Sequence, residues 1–442
     1  MSKKGWTIMN KRTVPTLLLA GFLGLLLSAC SASDDGAPPE TSFKSLVKIA
    51  SSDTADSDNF GYSVALDGNY AIAGSPGADG EGTDRGQAYI FLKTQGGTDG
   101  WGQVKVLVAG DAGDGDFFGV AVDISGDYAV VGAGAENGTG TDQGAAYVFY
   151  RNQGGADNWG QVKKLTAADR GDDDGFGYSV AIDGDTIVVG ADGEDGAGSD
   201  RGAAYVFLKD EGGVDNWGQV IKLTASDAAN ISQFGFRVAL DGDLALIGAP
   251  RADGAGSDRG AAYIYSRDFG GVGAWGEVKK LAPNSPTDNS WFGNAVAIEG
   301  SLAVIGEAWN DGSGTNRGAA YVFGRDEGGT DNWGEIKRLS ASDSADGAFF
   351  GYSLALSGSN VIVGAPWAQG GGTERGQIYL FSKDEGSPDN WGEVQRLRAS
   401  DSQNEDWFAF SASIAGSYII GGAIGEDGSG QGRGAAYLFK KI

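Results

Sequence analysis

Three sets of residues in this chain have the type and spacing to do chemistry. Asp172, Asp173 and Asp174 are consecutive carboxylates just behind Asp169, and Asp192, Glu194, Asp195 and Asp200 follow in a Gly-rich stretch. Clustered acids suit calcium, which needs 6–8 oxygen ligands. Glu307, two residues before Trp309, is an acid set among apolar neighbours. As one of a pair it would suit glycoside hydrolysis, which needs two carboxyl groups about 5–9.5 Å apart. The third set is aromatic: Trp291, Trp309, Phe349, Trp367 and Trp407, rings of the kind that anchor protein interfaces and line ligand sites.

Other chemistries are excluded. The 442 residues include no His and one Cys, so there is no Ser-His-Asp or Cys-His engine, no histidine metal site, no thiolate zinc site and no disulfide framework. The formal charge of −26 argues against a nucleic-acid partner, because few cations are present to replace phosphate counterions. A hydrophobic content of 41% is well above that of a disordered chain.

The lone cysteine has its own context. Lys3, Lys4, Lys11 and Arg12 precede an apolar run from Val14 to Leu27, which ends in Leu27-Ser28-Ala29-Cys30. The run is short for a membrane span, which takes about 20 apolar residues. The tetrapeptide resembles the lipobox of bacterial lipoproteins. That resemblance implies a signal peptide over 1–29, lipidation of Cys30, and an outer-membrane address, since Ser31 rather than Asp follows the cysteine. Residues 30–42 are acidic and carry Pro38-Pro39; they read as a tether. The acyl chains are then the only contact with the membrane.

The elements that must position these residues come from a repeat. Phe60, Phe118, Phe176, Phe234, Phe292, Phe350 and Phe408 are spaced by 58, as are Trp101, Trp159, Trp217, Trp275, Trp333 and Trp391. Each unit reads as four strands. In one copy these are Phe176–Ile182, Thr186–Gly190, Ala203–Leu208 and Trp217–Leu223, with Asp183-Gly184-Asp185 as a type I′ hairpin turn between the first two. Four strands in seven units predict an all-β, seven-bladed propeller over residues 43–442. The C-terminal unit supplies only three strands, and Phe43–Ile49 matches the fourth-strand pattern, so this segment is expected to close the last blade. The tryptophan column is assigned first to packing at the blade rim, with sugar stacking as the alternative. The column Arg85, Arg201, Arg259, Arg317, Arg375 and Arg433 is assigned to pinning an acidic loop.

Phe-Gly on the first strand, with Gly248-Ala249-Pro250, Gly364-Ala365-Pro366 and Gly74-Ser75-Pro76 after the second, resembles the FG-GAP repeats of integrin alpha subunits and their bacterial relatives. The resemblance implies a recognition module in adhesion or ligand capture. The family's calcium loop joins strands one and two. Here that connection is a short hairpin such as Asp67-Gly68-Asn69 or Ala415-Gly416-Ser417, which cannot wrap an ion. Calcium is therefore not carried over and no cofactor is expected. Asp172, Asp173 and Asp174 stay as the weak metal candidates, read first as a solvated turn.

Departures from the repeat are the more informative positions, because the fold does not require them. Trp309 and Trp367 fill the slot just past Gly-Ala-Pro, and Trp291, Phe349 and Trp407 fill the slot before Phe-Gly. The antiparallel order of strands one and two predicts that all five gather on one sector of one face, across blades five to seven. Two readings stay open for them: packing within their own loops, or contact with a ligand. The function expected is a non-enzymatic binding or adhesion module for a protein or glycan. The alternatives are a carbohydrate-active enzyme, such as a glycoside hydrolase or polysaccharide lyase, and an envelope-assembly scaffold.

Overall fold

The computed structural model describes residues 42–428 and 430–442. The signal peptide, Cys30 and all of the tether except Ser42 lie outside the described residues.

Seven antiparallel sheets of four strands each form a seven-bladed β-propeller, and among the described residues there is no helix. In the third blade the strands are Ser179–Asp183, Thr186–Ala191, Ala203–Leu208 and Gly218–Leu223, ordered from the axis outward. The second and third are buried along most of their length, as their β-branched and aromatic content requires. The seventh blade combines Phe408–Ala415, Tyr418–Ala423 and Ala435–Lys441 with Phe43–Ile49 as its outer strand. Phe43 pairs with Lys441 and Ile49 with Ala436. The closure is that read from the sequence, and it leaves no long unpaired edge at the seam.

Two local expectations are corrected. The innermost strand begins at Ser179 rather than Phe176, because Phe176 forms a parallel bridge with Gly144 of the preceding blade. Six equivalent bridges complete the circle, the last joining Phe60 to Gly434. Gly144 has φ +80, and a Cβ there would lie 2.0 Å from the Phe176 carbonyl oxygen. Glycine is thus required twice over, by conformation and by space. In the hairpin turn only Gly184 has positive φ, while Asp185 does not. That is the sign pattern of a II′ turn, which spares Asp185 the left-handed region.

The seven phenylalanines are fully buried. Phe176 meets Tyr205 and Phe207 at centroid distances of 5.5 and 6.0 Å, in edge-on geometry. The tryptophan column is also core: Trp217 is 1% exposed and packs edge-on against Tyr128 of the preceding blade at 5.4 Å. Blades therefore interlock through large apolar contacts.

Candidate functional site

The acidic residues are drawn into the joints between blades. Asp67 accepts from the Gly126 amide at 2.6 Å, Asp183 from Gly242 at 2.7 Å, Asp241 from Gly300 at 2.7 Å and Glu299 from Gly358 at 2.7 Å. The hairpin carboxylates thus staple four of the inner turns to the next blade, and the Ser125 hydroxyl does the same for Gly184 at 3.2 Å. Four of the six column arginines behave as read: Arg85 pairs with Asp114 at 2.7 Å, Arg259 with Asp288 at 2.5 Å, Arg317 with Asp346 at 2.6 Å and Arg433 with Asp56 at 3.0 Å. Arg375 reaches Asn404 and Arg201 reaches the Ala228 carbonyl. Exposed pairs of this kind fix register more than they add stability.

The dense acidic stretch divides its carboxylates among separate partners. Asp169 accepts from the Tyr205 hydroxyl at 3.0 Å and from Lys222 at 2.7 Å. Burial pushes its pKa up, but these two donors outweigh it and hold the carboxyl below its ordinary range. Asp172 is exposed and accepts from the Thr141 amide, Asp173 is exposed, and Asp174 is buried and accepts from the Gly171 amide. Among the described residues no group of three or more Asp or Glu side chains is arranged to hold a metal ion.

Glu307 is fully buried. It accepts hydrogen bonds from Ser290, Asn310 and Tyr321, each at 2.7 Å. Burial raises its pKa, partly offset by those three donors. Its origin is a paired departure from the repeat. Elsewhere the column tyrosine donates to an aspartate 36 residues earlier, as Tyr205 does to Asp169 and Tyr263 to Asp227. In blade five that position is Ser285, and Glu307 supplies the missing acceptor.

The five aromatics do assemble on one sector. Trp291 meets Trp309 at 4.3 Å between centroids, Trp309 meets Phe349 at 5.5 Å, Phe349 meets Trp367 at 5.0 Å and Trp367 meets Trp407 at 6.3 Å. The Arg251 guanidinium caps one end, 5.8 Å from the Trp291 ring. At the other, the Trp407 indole donates to Glu374 at 3.0 Å. All five rings are half-buried, so the strip is braced by its own members and still open to solvent.

Three of the five sit in strained backbone. Trp291, Phe349 and Trp407 have φ of +58, +53 and +52. Gly175 holds the same slot in blade three, with φ +65. A bulky residue in this region costs on the order of 1–3 kcal/mol. Asn59, Phe117 and Gln233 take the same conformation in this slot, with φ of +55, +53 and +55, so the left-handed turn belongs to the fold, and blades five to seven fill it with large rings.

The strip also runs inward. Tyr352 lies 6.2 Å from Trp309, 5.1 Å from Trp367 and 5.0 Å from Phe410, which in turn lies 5.0 Å from Tyr62. Tyr352, Phe410 and Tyr62 line a cavity on the propeller axis of about 160 Å3, together with Tyr178 and Arg237. These axial residues were not singled out from sequence. Their signal was the column after Phe-Gly, where Tyr62, Tyr178, Phe236, Tyr352 and Phe410 alternate with Val120 and Asn294.

The family model described as FG-GAP repeat matches residues 43–91, 101–149, 159–207, 217–265, 275–323, 333–381 and 391–439. Each matched segment begins on the outer strand of one blade and ends on the third strand of the next. Sequence unit and blade are therefore offset by one strand, which is why the first segment must close the last blade. No curated protein matches the chain significantly.

Proposed function

The chain belongs to the FG-GAP repeat family, and on that premise we propose that its propeller is a non-enzymatic binding or adhesion module that takes a protein or glycan ligand on the aromatic sector of blades five to seven. One observation carries this reading. Large half-exposed rings form a continuous strip across three consecutive blades, at two slots where every other copy except Phe117 carries a small or polar residue. Aromatic surface within a polar rim is what recognition of either ligand class uses.

Lipidation of Cys30 would display the module on the cell envelope, at the outer membrane, with residues 30–42 as its tether. Labelling with a palmitate analogue, abolished by Cys30→Ser, tests the anchor. The sector is tested by screening the propeller, residues 42–442, on a glycan array and against envelope proteins, beside a Trp309→Ala, Trp367→Ala double variant. Retained binding by the folded double variant overturns the assignment. Glu307, the acid the enzyme alternative would use, is buried and accepts from three donors. Polysaccharide digestion with product sizing addresses other acids.

A further inference from the structure

The cavity on the propeller axis is lined by one cationic side chain, Arg237, and no carboxylate, in a chain with 59 acidic residues. Six blades place Ser63, Ala121, Ser179, Ala295, Ser353 or Ser411 at the equivalent position. The serine hydroxyls there serve the blade joints: Ser63 accepts from the Val122 amide at 3.0 Å and Ser179 from Val238 at 2.9 Å. The fold thus does without a cation at this point six times in seven.

Arg237 is held ready for a ligand. Its guanidinium lies 4.6 Å from the Phe236 ring centroid and 5.2 Å from that of Tyr178, a stacking that fixes its plane. It donates to the Phe236 carbonyl at 2.8 Å. Burial opposes its charge, but the Tyr178, Tyr352 and Tyr62 phenols more than compensate and raise its pKa. The buried Asp192 carboxyl acts on it through space; among the described residues no carboxylate pairs with it within 4.0 Å. Arg237 also shares a hydrogen bond with the Tyr178 side chain, and its planar N–H fork has the geometry that matches a carboxylate. The cavity volume is about ten times the 10–15 Å3 that one water needs.

We propose that the axial cavity is a carboxylate-binding subsite, in which Arg237 takes the acid group of a uronic-acid sugar whose neighbouring rings stack on Tyr352, Trp367 and Trp309. This rests on the aromatic strip being the ligand-contacting surface, and it narrows the ligand to an acidic glycan. The strip supplies ring contacts without charge, and the axis supplies charge selection.

The test titrates the propeller calorimetrically with an oligogalacturonide, with its methyl ester, and with inorganic phosphate and sulfate. The acid oligomer should bind at least about tenfold more tightly than the ester, as expected for a charge-assisted pair. Arg237→Gln should erase that difference, and Arg237→Lys should restore only part of it. Trp309→Ala with Trp367→Ala should weaken acid and ester alike. Circular dichroism on each variant confirms folding. Equal binding of acid and ester, or an acid preference that survives Arg237→Gln, overturns the subsite and leaves the aromatic strip standing. So does tighter binding of phosphate or sulfate than of the oligomer, which would make the site one for free anions. Absence of binding by either oligomer overturns it as well, and the strip is then judged by its protein ligands.

Discussion

The Tyr352 ring stands edge-on to Trp367 with centroids 5.1 Å apart. Because Tyr352 also lines the axial cavity, this one contact joins the aromatic strip of blades five to seven to the centre of the propeller. Rings on the surface and rings at the axis thus form one continuous aromatic chain.

Rings on the strip should be separable from rings in the core. Trp407→Gly removes an aromatic but relieves a φ of +52, so unfolding free energy should change by less than about 1–2 kcal/mol. Trp217→Ala, at 1% exposure, should cost about 3–5 kcal/mol. Urea midpoints compare the two, and a large loss from Trp407→Gly would assign that ring to packing alone.

The closing strand should carry the ring. Phe43 is 2% exposed and sits at the start of the strand paired with Ala435–Lys441. Phe43→Ala should destabilise by about 3–5 kcal/mol. Deleting Phe43–Ile49 should expose the edge of Ala435–Lys441 and yield oligomers on gel filtration. A monomer of unchanged stability would contradict the closure.

Tyr321 and Glu307 should behave as a unit. Glu307→Ala leaves the Tyr321 hydroxyl without its 2.7 Å acceptor, at an expected cost of about 2–4 kcal/mol. Adding Ser285→Asp restores the acceptor position used in the other blades and should recover at least half of that loss. Thermal melts of the single and double variants measure the coupling.

Asp192 should make stability depend on pH in the direction opposite to a salt-bridged carboxylate. Burial raises its pKa from 3.8 to about 7, and the side chain is 1% exposed. With the folded pKa above the unfolded one, its contribution is full below about pH 4 and is lost as pH rises through about 7. Asp192→Asn should therefore be more stable than the parent at pH 8, by about 2–4 kcal/mol, and similar to it at pH 4. Denaturation at the two pH values decides it. No gain at pH 8 would mean that the carboxylate is stabilised when ionised.

Calcium should not stiffen the acidic loops. The carboxylates of Asp169, Asp172 and Asp174 are already committed to Lys222, Thr141 and Gly171. Melting temperatures in EDTA and in about 5 mM calcium, above the 10⁻⁴–10⁻³ M dissociation constants of weak extracellular sites, should coincide. A rise of several degrees in calcium would restore a metal role to these loops.

The propeller, its seven blades, the strand that closes it and the sector holding Trp291, Trp309, Phe349, Trp367 and Trp407 were all legible in the sequence. A 58-residue period without insertions maps each column onto one ring of equivalent places, and any departure stands out against six controls. What the period cannot show is which columns meet. Phe176 bridging to Gly144, Asp67 reaching Gly126, Glu307 standing in for an aspartate at Ser285, and Arg237 aimed into the axis are contacts between neighbouring blades or between columns. Backbone spacing along one strand gives a side chain its face. Its partner across a blade joint is set by how two twisted sheets converge on the axis, and only the closed ring decides that.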